Sequence, residues 1–552
     1  MFRFGRLFLE ESKNEKENVS FYNNSAEQQI LETRMKEVVE FAREIAIATK
    51  GRDTPTSSAP SPSHNSLYHF YLAKLASELK PLLPYDHFNS TALQLVVWHS
   101  TYYDRLWALL EQTPTLTIYN YLGLKLIEGL AGELSSKVAA IERWYYRAKG
   151  ETEDEQLKRT ASPLWKDCLY RAQQGWAAAR LYVEHSVRRE TKDQATMLLS
   201  EMQKIFKKEV LSKTDWMDET TRKQAFQKFA LTNFTVAYPE WLLDDAQLDA
   251  VAYHYPRVDF VKVQPGQYFE NQLSVTRRKK AVSLLGLFTL EEKETNYKQP
   301  SKKQLKEQSE KLPTEVCVSH NLRMNSVGKL QKEKLFSFFS FNFVPCLAIS
   351  AGLLQPPFFY LDPNVPYGLR YGTVGSLISH HTFHHFDQSG AQIDALGNRK
   401  VSWWTKETAK LFEKESQCFV DQYGSIVDHE TGIGLKGKQT LEENIADNVA
   451  LRTAFLALEA RLKKDKEDKK NAQKKLPQLE QFTPEQLFFL AYAHKRCGRY
   501  RTLEDKKIVL NYEPYLPGNY RVNVPLSNLK QFSAAFHCPL GSKMNPIKYC
   551  QL

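Results

Sequence analysis

The stretch that decides the fold is Tyr371-Gly-Thr-Val-Gly-Ser-Leu-Ile-Ser-His380-His381-Thr-Phe-His384-His385-Phe-Asp387-Gln-Ser-Gly390. Four histidines fall within six positions, inside an apolar run. His380 and His384 are spaced i, i+4, so on a helix both imidazoles leave the same face, one turn apart. The pattern predicts a helix that presents a pair of imidazoles.

This spacing is the ligand geometry of the zinc-peptidase motif H-E-x-x-H, in which the glutamate is the general base. Here the position of that glutamate is taken by His381. The motif therefore keeps its pair of metal ligands and lacks the residue that would perform the chemistry.

A catalytic zinc site needs a third protein ligand. The best candidate is Glu443 in Thr440-Leu-Glu-Glu-Asn-Ile-Ala-Asp447, because Glu443 and Asp447 are again spaced i, i+4. A carboxylate ligand followed one turn later by Asp447 suits a group that holds a ligand imidazole. Two alternatives stay open at this point: Thr440 and Glu443 also form a capping-box pattern, and the histidines could be core residues bonded to backbone carbonyls.

Length and composition set broad limits. A chain of 552 residues should hold more than one domain. The net charge of +11 does not indicate nucleic-acid binding, because acidic residues interrupt the densest basic run, at 461–475. There is no apolar stretch of the roughly 18 residues that a membrane span requires, and the N-terminus is no clear signal peptide.

The order of patterns along the chain predicts a largely helical protein. Residues 1–65 are polar, with an amphipathic helix at 30–47 and then a turn-rich stretch at 54–64 that predicts a mobile linker. Helical periodicity extends from 67 to about 249 and returns at 406–423, 441–462 and 484–497. We expect a strand within 336–351 and a C-terminal section of strands and turns after the last helix.

Several ordered blocks of sequence resemble the neprilysin and endothelin-converting-enzyme family of zinc metallopeptidases. The blocks are Thr214–Arg222, Ser350–Phe359, Tyr371–Gly375, His380–Asp387, Trp403–Thr405, Ser416–Gly424, Glu443–Asp447, Asn519–Val522, Pro525–Leu529 and Phe536–Pro546. The resemblance as a whole covers roughly residues 66 to 552.

The resemblance implies a mainly α (α+β) fold of two domains, in which a thermolysin-like zincin domain and a helical domain enclose a cavity. We expect a polar tail at 1–65, the helical domain at 66–320 and the zincin-like peptidase domain at 321–552. The resemblance implies Zn²⁺ on His380, His384 and Glu443, with Asp447 behind a ligand and Arg521 binding substrate. It also implies an extracellular, secreted or membrane-peripheral protein that binds peptides or a protein partner.

The departures from the family pattern concern catalysis. His381 replaces the general base, His385 replaces a glycine, and Tyr515 aligns with the histidine that stabilises the transition state. The family's substrate-gripping asparagine is absent from the aligned segment 337–340. General-base catalysis contributes about 10²–10⁴-fold and one oxyanion donor about 10²–10³-fold, so we expect a pseudopeptidase with a retained zinc site. An active peptidase with altered base chemistry and a decaying product without function are the rival interpretations.

The seven cysteines include a pair that the family resemblance links, Cys418 and Cys550. By the same resemblance Cys497 and Cys538 pair with cysteines of an N-terminal segment, but no cysteine precedes Cys168. We therefore expect a Cys418–Cys550 bridge, at least one free thiol, and either a monomer or a disulfide-linked dimer.

Overall fold

The fold is described by a computed structural model. It describes residues 25–48, 100–130, 175–232, 234–248, 262, 264–288, 318–319, 347–395, 402–468, 475–500 and 502–552. The chain forms two compact units that do not follow the order of the sequence. One unit comprises Met1–Gln173, Tyr255–Tyr297 and Leu330–Phe339, and the other Gln174–His254, Lys298–Lys329 and Ser340–Leu552. The division into family domains at 66–320 and 321–552 stays a prediction.

The first unit contributes four described helices. They are α1 (Ser25–Ala48), α2 (Ser100–Gln112), α3 (Thr115–Leu130) and α8 (Tyr268–Phe288). Helix α1 confirms the amphipathic helix predicted at 30–47, and it buries Val38 and Phe41. The ring of Phe41 meets Tyr121 of α3 edge to face, with centroids 5.2 Å apart. The predicted linker at 54–64 lies outside the described residues.

The second unit holds the remaining described elements. Its helices are α4 (Gly175–Ser186), α5 (Arg189–Ile205), α6 (Glu219–Leu231), α7 (Asp245–Leu248), α9 (Tyr367–Arg370), α10 (Ser376–Phe383), α11 (Gln388–Ala391), α12 (Lys406–Gly424), α13 (Leu441–Glu467), α14 (Pro484–His494), α15 (Leu503–Tyr512), α16 (Gly518–Ser527) and α17 (Lys530–Ala535). Its strands are β1 (Phe234–Ala237), β2 (Val318–Ser319) and β3 (Leu347–Ser350). The mainly helical class with few strands is confirmed.

A small sheet has the order β1-β3-β2. Strand β3 pairs parallel with β1, from Phe234 opposite Leu347 to Ala237 opposite Ser350, and antiparallel with β2. The strand expected within 336–351 is thus found at its end, and 336–346 lies outside the described residues. No described helix is both long and apolar enough to cross a membrane.

Two apolar clusters form the core of the second unit, and α10 and α13 contribute to both. Ile378 of α10 and Phe455 of α13 belong to the cluster around the sheet, α5 and α14. Phe383 of α10 and Ile445 of α13 belong to the cluster around α12. Each of the two helices therefore packs against one cluster on one side and the other cluster on another side. Such close packing leaves the side chains at the interface of α10 and α13 little freedom to move.

The segment before α10 packs against α14 at backbone distance. A π turn, Tyr371–Gly375, joins α9 to α10. At Gly372, a Cβ atom would lie 2.4 Å from the carbonyl oxygen of Phe488, and at Gly368 it would lie 2.4 Å from that of Pro484. Only glycine permits this approach, which fixes the start of α10 against α14.

The expected strand-and-turn section at the C-terminus is wrong. Helices α15, α16 and α17 occupy this region. Each is short, and α16 carries Pro525 inside it, so the apolar periodicity that indicates a helix is weak. The expected helices at 406–423, 441–462 and 484–497 are confirmed as α12, α13 and α14, although α14 ends at His494.

Candidate metal centre

Helices α10 and α13 bring together the three residues that the sequence proposed as metal ligands. Nε2 of His380 lies 3.2 Å from Nε2 of His384. The carboxylate of Glu443 approaches both rings, with Oε2 3.2 Å from Nε2 of His380 and Oε1 3.4 Å from Nε2 of His384. Among the described residues, these three form the group that could hold a metal ion.

The distances fit zinc. Nitrogen and oxygen ligands lie about 2.0–2.1 Å from Zn²⁺, so two ligands of a tetrahedral site are about 3.3 Å apart. The three separations of 3.2, 3.2 and 3.4 Å match this spacing. Two imidazoles and one carboxylate also form the donor set of catalytic zinc sites that leave a fourth position open.

Glu443 does not act as a helix cap. Thr440, the residue before α13, makes no capping hydrogen bond with its side chain. The Thr440 hydroxyl instead donates to the Lys436 carbonyl and accepts from the side-chain amide of Asn444. The capping-box alternative is therefore wrong, and the Glu443 carboxylate faces the imidazoles.

A second carboxylate stands behind each imidazole. Oδ2 of Asp387 lies 2.6 Å from Nδ1 of His384, while its Oδ1 accepts from the Gly390 amide. Oδ1 of Asp447 lies 3.0 Å from Nδ1 of His380, but the approach lacks the angle of a hydrogen bond. Such carboxylates fix the tautomer of a ligand imidazole and make it a better donor.

Two arginines hold Asp447. Arg521 donates from Nε to Oδ2 at 2.6 Å and from Nη2 to Oδ1 at 3.0 Å, and it also reaches Oε2 of Glu443 at 3.2 Å. Arg496 donates from Nη2 to Oδ1 at 3.1 Å. The preceding Lys495 contacts the hydroxyl of Ser376 on α10 and lies 4.1 Å from the ring centroid of Tyr492.

The remaining positions of interest surround this group. The ring of His381 lies 5.0 Å from that of His380 and 6.2 Å from that of His384, and His385 is buried. Tyr515 is 45% exposed and stacks on the guanidinium of Arg521, 5.1 Å from the ring centroid. The segment 337–340 lies outside the described residues.

Burial and neighbouring charges shift the pKa values of three groups around the site, one downwards and two upwards. Burial, together with the neighbouring charges of His380 and His384, lowers the pKa of His381 well below its usual range. Burial would also lower the pKa of His384, but its contacts with Asp387 and Glu443 raise that pKa to about 10. Burial and the charge of Glu443 raise the pKa of Tyr515, so its hydroxyl keeps its proton at neutral pH.

Two sequence profiles of the same description, Peptidase family M13, match the chain at residues 10–239 and 341–552. The chain belongs to this family. Because M13 is a family of zinc metallopeptidases, membership implies a zinc site, and the His380–His384–Glu443 group is a possible one.

Curated relatives cover nearly the whole chain. Neprilysin-1 of Caenorhabditis elegans is 27% identical over 98% of this chain and 68% of its own length. Human endothelin-converting enzyme 1 is 27% identical over 99% of this chain and 65% of its own length. The chain thus spans about two thirds of the length of these relatives.

Solved structures support the fold. The zinc metalloprotease Zmp1 of Mycobacterium tuberculosis, in complex with an inhibitor, superposes with a TM-score of 0.63 at 19% identity. That alignment covers 97% of this chain and 76% of the Zmp1 chain. PepO of Lactobacillus rhamnosis gives a TM-score of 0.60 at 17% identity, over 96% of this chain and 71% of its own. These likenesses support the predicted two-domain architecture of an M13 peptidase.

Sequence reasoning named the three residues that converge here, and Asp447 behind them, but missed two residues that surround the group. Asp387 follows His384 by three positions, in the turn between α10 and α11, and this close spacing of a carboxylate and a candidate ligand was a usable signal. Arg496 gave no such signal, because its approach to Asp447 depends on how α14 packs. The guanidinium of Arg521, expected to bind substrate, lies on Asp447 and Glu443.

Proposed function

We propose that this member of family M13 binds zinc through His380, His384 and Glu443 but is disabled as a peptidase. It would then act by binding peptides or a protein partner. One observation carries the proposal: the residue beside the ligand pair, where the motif requires a carboxylate base, is the imidazole of His381. When bound, zinc would supply a Lewis acid and lower the pKa of a coordinated water.

The chemistry of His381 supports the loss of activity. A general base is most effective when its pKa lies near the working pH. Burial keeps the pKa of His381 well below that range, so its imidazole is a weak base. Tyr515 can donate a hydrogen bond to an oxyanion, but it lacks the positive charge that a histidine could carry there.

A disulfide supports a location in an oxidising compartment. A disulfide joins Cys418 to Cys550, with Cα atoms 5.7 Å apart. Disulfides persist in secreted and cell-surface proteins and are rare in the cytosol. We therefore propose that the protein works outside the cell or at the periphery of a membrane. The names of the relatives, neprilysin and endothelin-converting enzyme, support peptides as its ligands.

Metal analysis of the purified protein together with a quenched peptide library tests this function. We expect one zinc per chain, lost in His380→Ala, and no turnover of the library. Turnover by the unmodified chain that His380→Ala abolishes would favour the alternative, an active zinc metalloendopeptidase of short peptides. Equal zinc content in the unmodified chain and His380→Ala would contradict the proposed site.

A further inference from the structure

Three donor groups approach the same oxygen atom of Asp447. Oδ1 faces Nη2 of Arg521 at 3.0 Å, Nη2 of Arg496 at 3.1 Å and Nδ1 of His380 at 3.0 Å. A carboxylate oxygen offers about two lone-pair directions. Of the three contacts, the two arginine contacts have hydrogen-bond geometry, and the contact with His380 does not.

Arg521 suffices to hold the carboxylate of Asp447. It binds both oxygens, Oδ2 through Nε and Oδ1 through Nη2, which is the bidentate arrangement that fixes a carboxylate most firmly. Asp447 is 3% exposed in its side chain and Arg521 8%. The contact of Arg496 therefore adds little to the position of Asp447.

Arg496, by contrast, depends on Asp447. Its side chain is 19% exposed, and within the described residues its guanidinium makes one hydrogen bond, to Oδ1 of Asp447. Its Nε is buried without an acceptor there. The guanidinium is thus drawn towards this carboxylate, the one that stands behind His380.

We propose that Arg496 is a positioning residue that weakens zinc binding, because it occupies the oxygen of Asp447 that would otherwise accept the Nδ1 proton of His380. A ligand imidazole that donates to a carboxylate binds metal more tightly. The positive charge of Arg496 opposes a divalent cation in the same direction. The inference rests on the proposed zinc site and adds a control on its affinity.

The test measures the dissociation constant of zinc by competition with a chromophoric chelator in Arg496→Met, whose side chain is apolar and of similar length. We expect zinc to bind about tenfold more tightly, at the lower end of the 10–100-fold effects of residues behind metal ligands. Arg496→Lys keeps both a positive charge and a hydrogen-bond donor for Oδ1 of Asp447, so it should bind zinc like the unmodified chain. Arg499→Met changes an exposed neighbour and serves as the matched control.

Arg496→Met in an Asp447→Asn background shows whether Arg496 acts through Asp447 or through its charge alone. If Arg496 acts through Asp447, Arg496→Met gives no further tightening there. Unchanged or weaker zinc binding in the single variant would overturn the inference, and equal tightening in both backgrounds would replace it by a direct charge effect. Should Arg496→Met not fold, Arg496→Gln makes the same comparison.

The result also distinguishes this inference from the proposed function. Loss of zinc in His380→Ala without tightening in Arg496→Met would refute the role of Arg496 alone. Zinc binding that is indifferent to both His380→Ala and Arg496→Met would refute the proposed site itself, and the role of Arg496 with it.

Discussion

By the family resemblance, His381 takes the position of a carboxylate base and Tyr515 that of a histidine that stabilises the transition state. Because the two positions serve one reaction, restoring one of them leaves the other defect in place. We expect no measurable peptide hydrolysis by the unmodified chain and little by His381→Glu. The double variant His381→Glu/Tyr515→His should cleave a quenched peptide up to about 100-fold faster than His381→Glu, because histidine can add a positive charge where Tyr515 offers a neutral donor, and 100-fold is the lower value for an entire oxyanion donor.

The double variant has an internal control. Adding His380→Ala should abolish its activity, because that change removes a nitrogen that we propose as a zinc ligand. Cleavage by His381→Glu as fast as by the double variant would show that Tyr515 already serves the reaction.

The proposed zinc site also leads to a prediction about the stability of the fold, because its ligands would be His380, His384 and Glu443. A ligand that binds the folded state alone raises the free energy of unfolding, by about 2.7 kcal/mol at a concentration 100 times its dissociation constant. We expect zinc to raise the melting temperature of chelator-treated protein and to leave that of His380→Ala unchanged. Asn448→Ala alters a residue of α13 outside the ligand group and serves as control. A rise in His380→Ala equal to that of the unmodified chain would contradict the ligand assignment.

At this scale the sequence could predict what lies on single helical turns. The i, i+4 pairs placed His380 with His384 and Glu443 with Asp447, and local geometry decided which faces they share. It could not predict that the imidazoles and Glu443 converge, since this requires α10 to pack on α13. For that convergence the resemblance to a family supplied what the pattern did not.

At the scale of elements, a buried ion pair fastens the short C-terminal helices to the turn that precedes α13. Asp428 is fully buried and accepts from Nζ of Lys506 in α15, at 2.7 Å, and from the hydroxyl of Tyr520 in α16, at 2.8 Å. These contacts set the position of α16, which carries Arg521. These contacts join residues that are far apart in the sequence, 92 positions in the case of Asp428 and Tyr520. Such contacts depend on tertiary packing, so no local pattern predicts them.

Asp428 predicts how stability depends on pH. Burial would raise its pKa, but hydrogen bonds from Lys506, Tyr520 and Thr431 lower it below the ordinary 3.8. A depressed carboxyl pKa stabilises the fold above the pKa of the unfolded chain, and this contribution is lost as the pH falls from there through the lower pKa of the folded state. We expect Asp428→Asn to lower the free energy of unfolding by about 3 kcal/mol at pH 7, since it leaves Lys506 without its buried partner.

Urea unfolding between pH 7 and pH 2 measures this contribution. The difference between the unmodified chain and Asp428→Asn should shrink once the pH falls below about 4, where Asp428 begins to be protonated in the unfolded chain. Glu430→Gln, which removes the more exposed partner of Lys506, should have a smaller effect at every pH. A constant difference across this range would contradict the assigned role.

At the scale of the whole molecule, the class of fold could be predicted, but the pairing of distant segments could not. Residues 174–254 precede the histidine stretch by more than a hundred positions and yet belong to the same compact unit. Strand β1 pairs with β3 across this distance. Such pairing follows from the burial of shared apolar surface, which hydrophobic periodicity along one segment does not reveal.

The described cysteines comprise one disulfide pair and two free thiols. Among the described residues, Cys497 is exposed and Cys538 half-buried, and both are free. An exposed thiol can attack a disulfide or pair with a second copy. If the chain forms a disulfide-linked dimer, we expect Cys497→Ser to abolish it on a non-reducing gel, whereas a dimer that persists in this variant would exclude Cys497 as the link.

The Cys418–Cys550 bridge ties the end of the chain to α12 over a separation of 132 residues. In the chain-entropy account, a loop of this length restricts the unfolded chain enough to stabilise the fold by about 4–5 kcal/mol. Cys418→Ser/Cys550→Ser should therefore lower the free energy of unfolding by up to this amount, measured by urea unfolding without reductant. Cys497→Ser removes a thiol that forms no bridge among the described residues, so its stability should equal that of the unmodified chain.

Because Cys550 is buried against the cluster around α12, part of the loss in the double variant can come from packing. Reduction of the unmodified chain separates the two causes, since it breaks the bridge and keeps both side chains. If reduction leaves the unfolding curve in place, the bridge contributes no stability and the loss in the double variant belongs to packing.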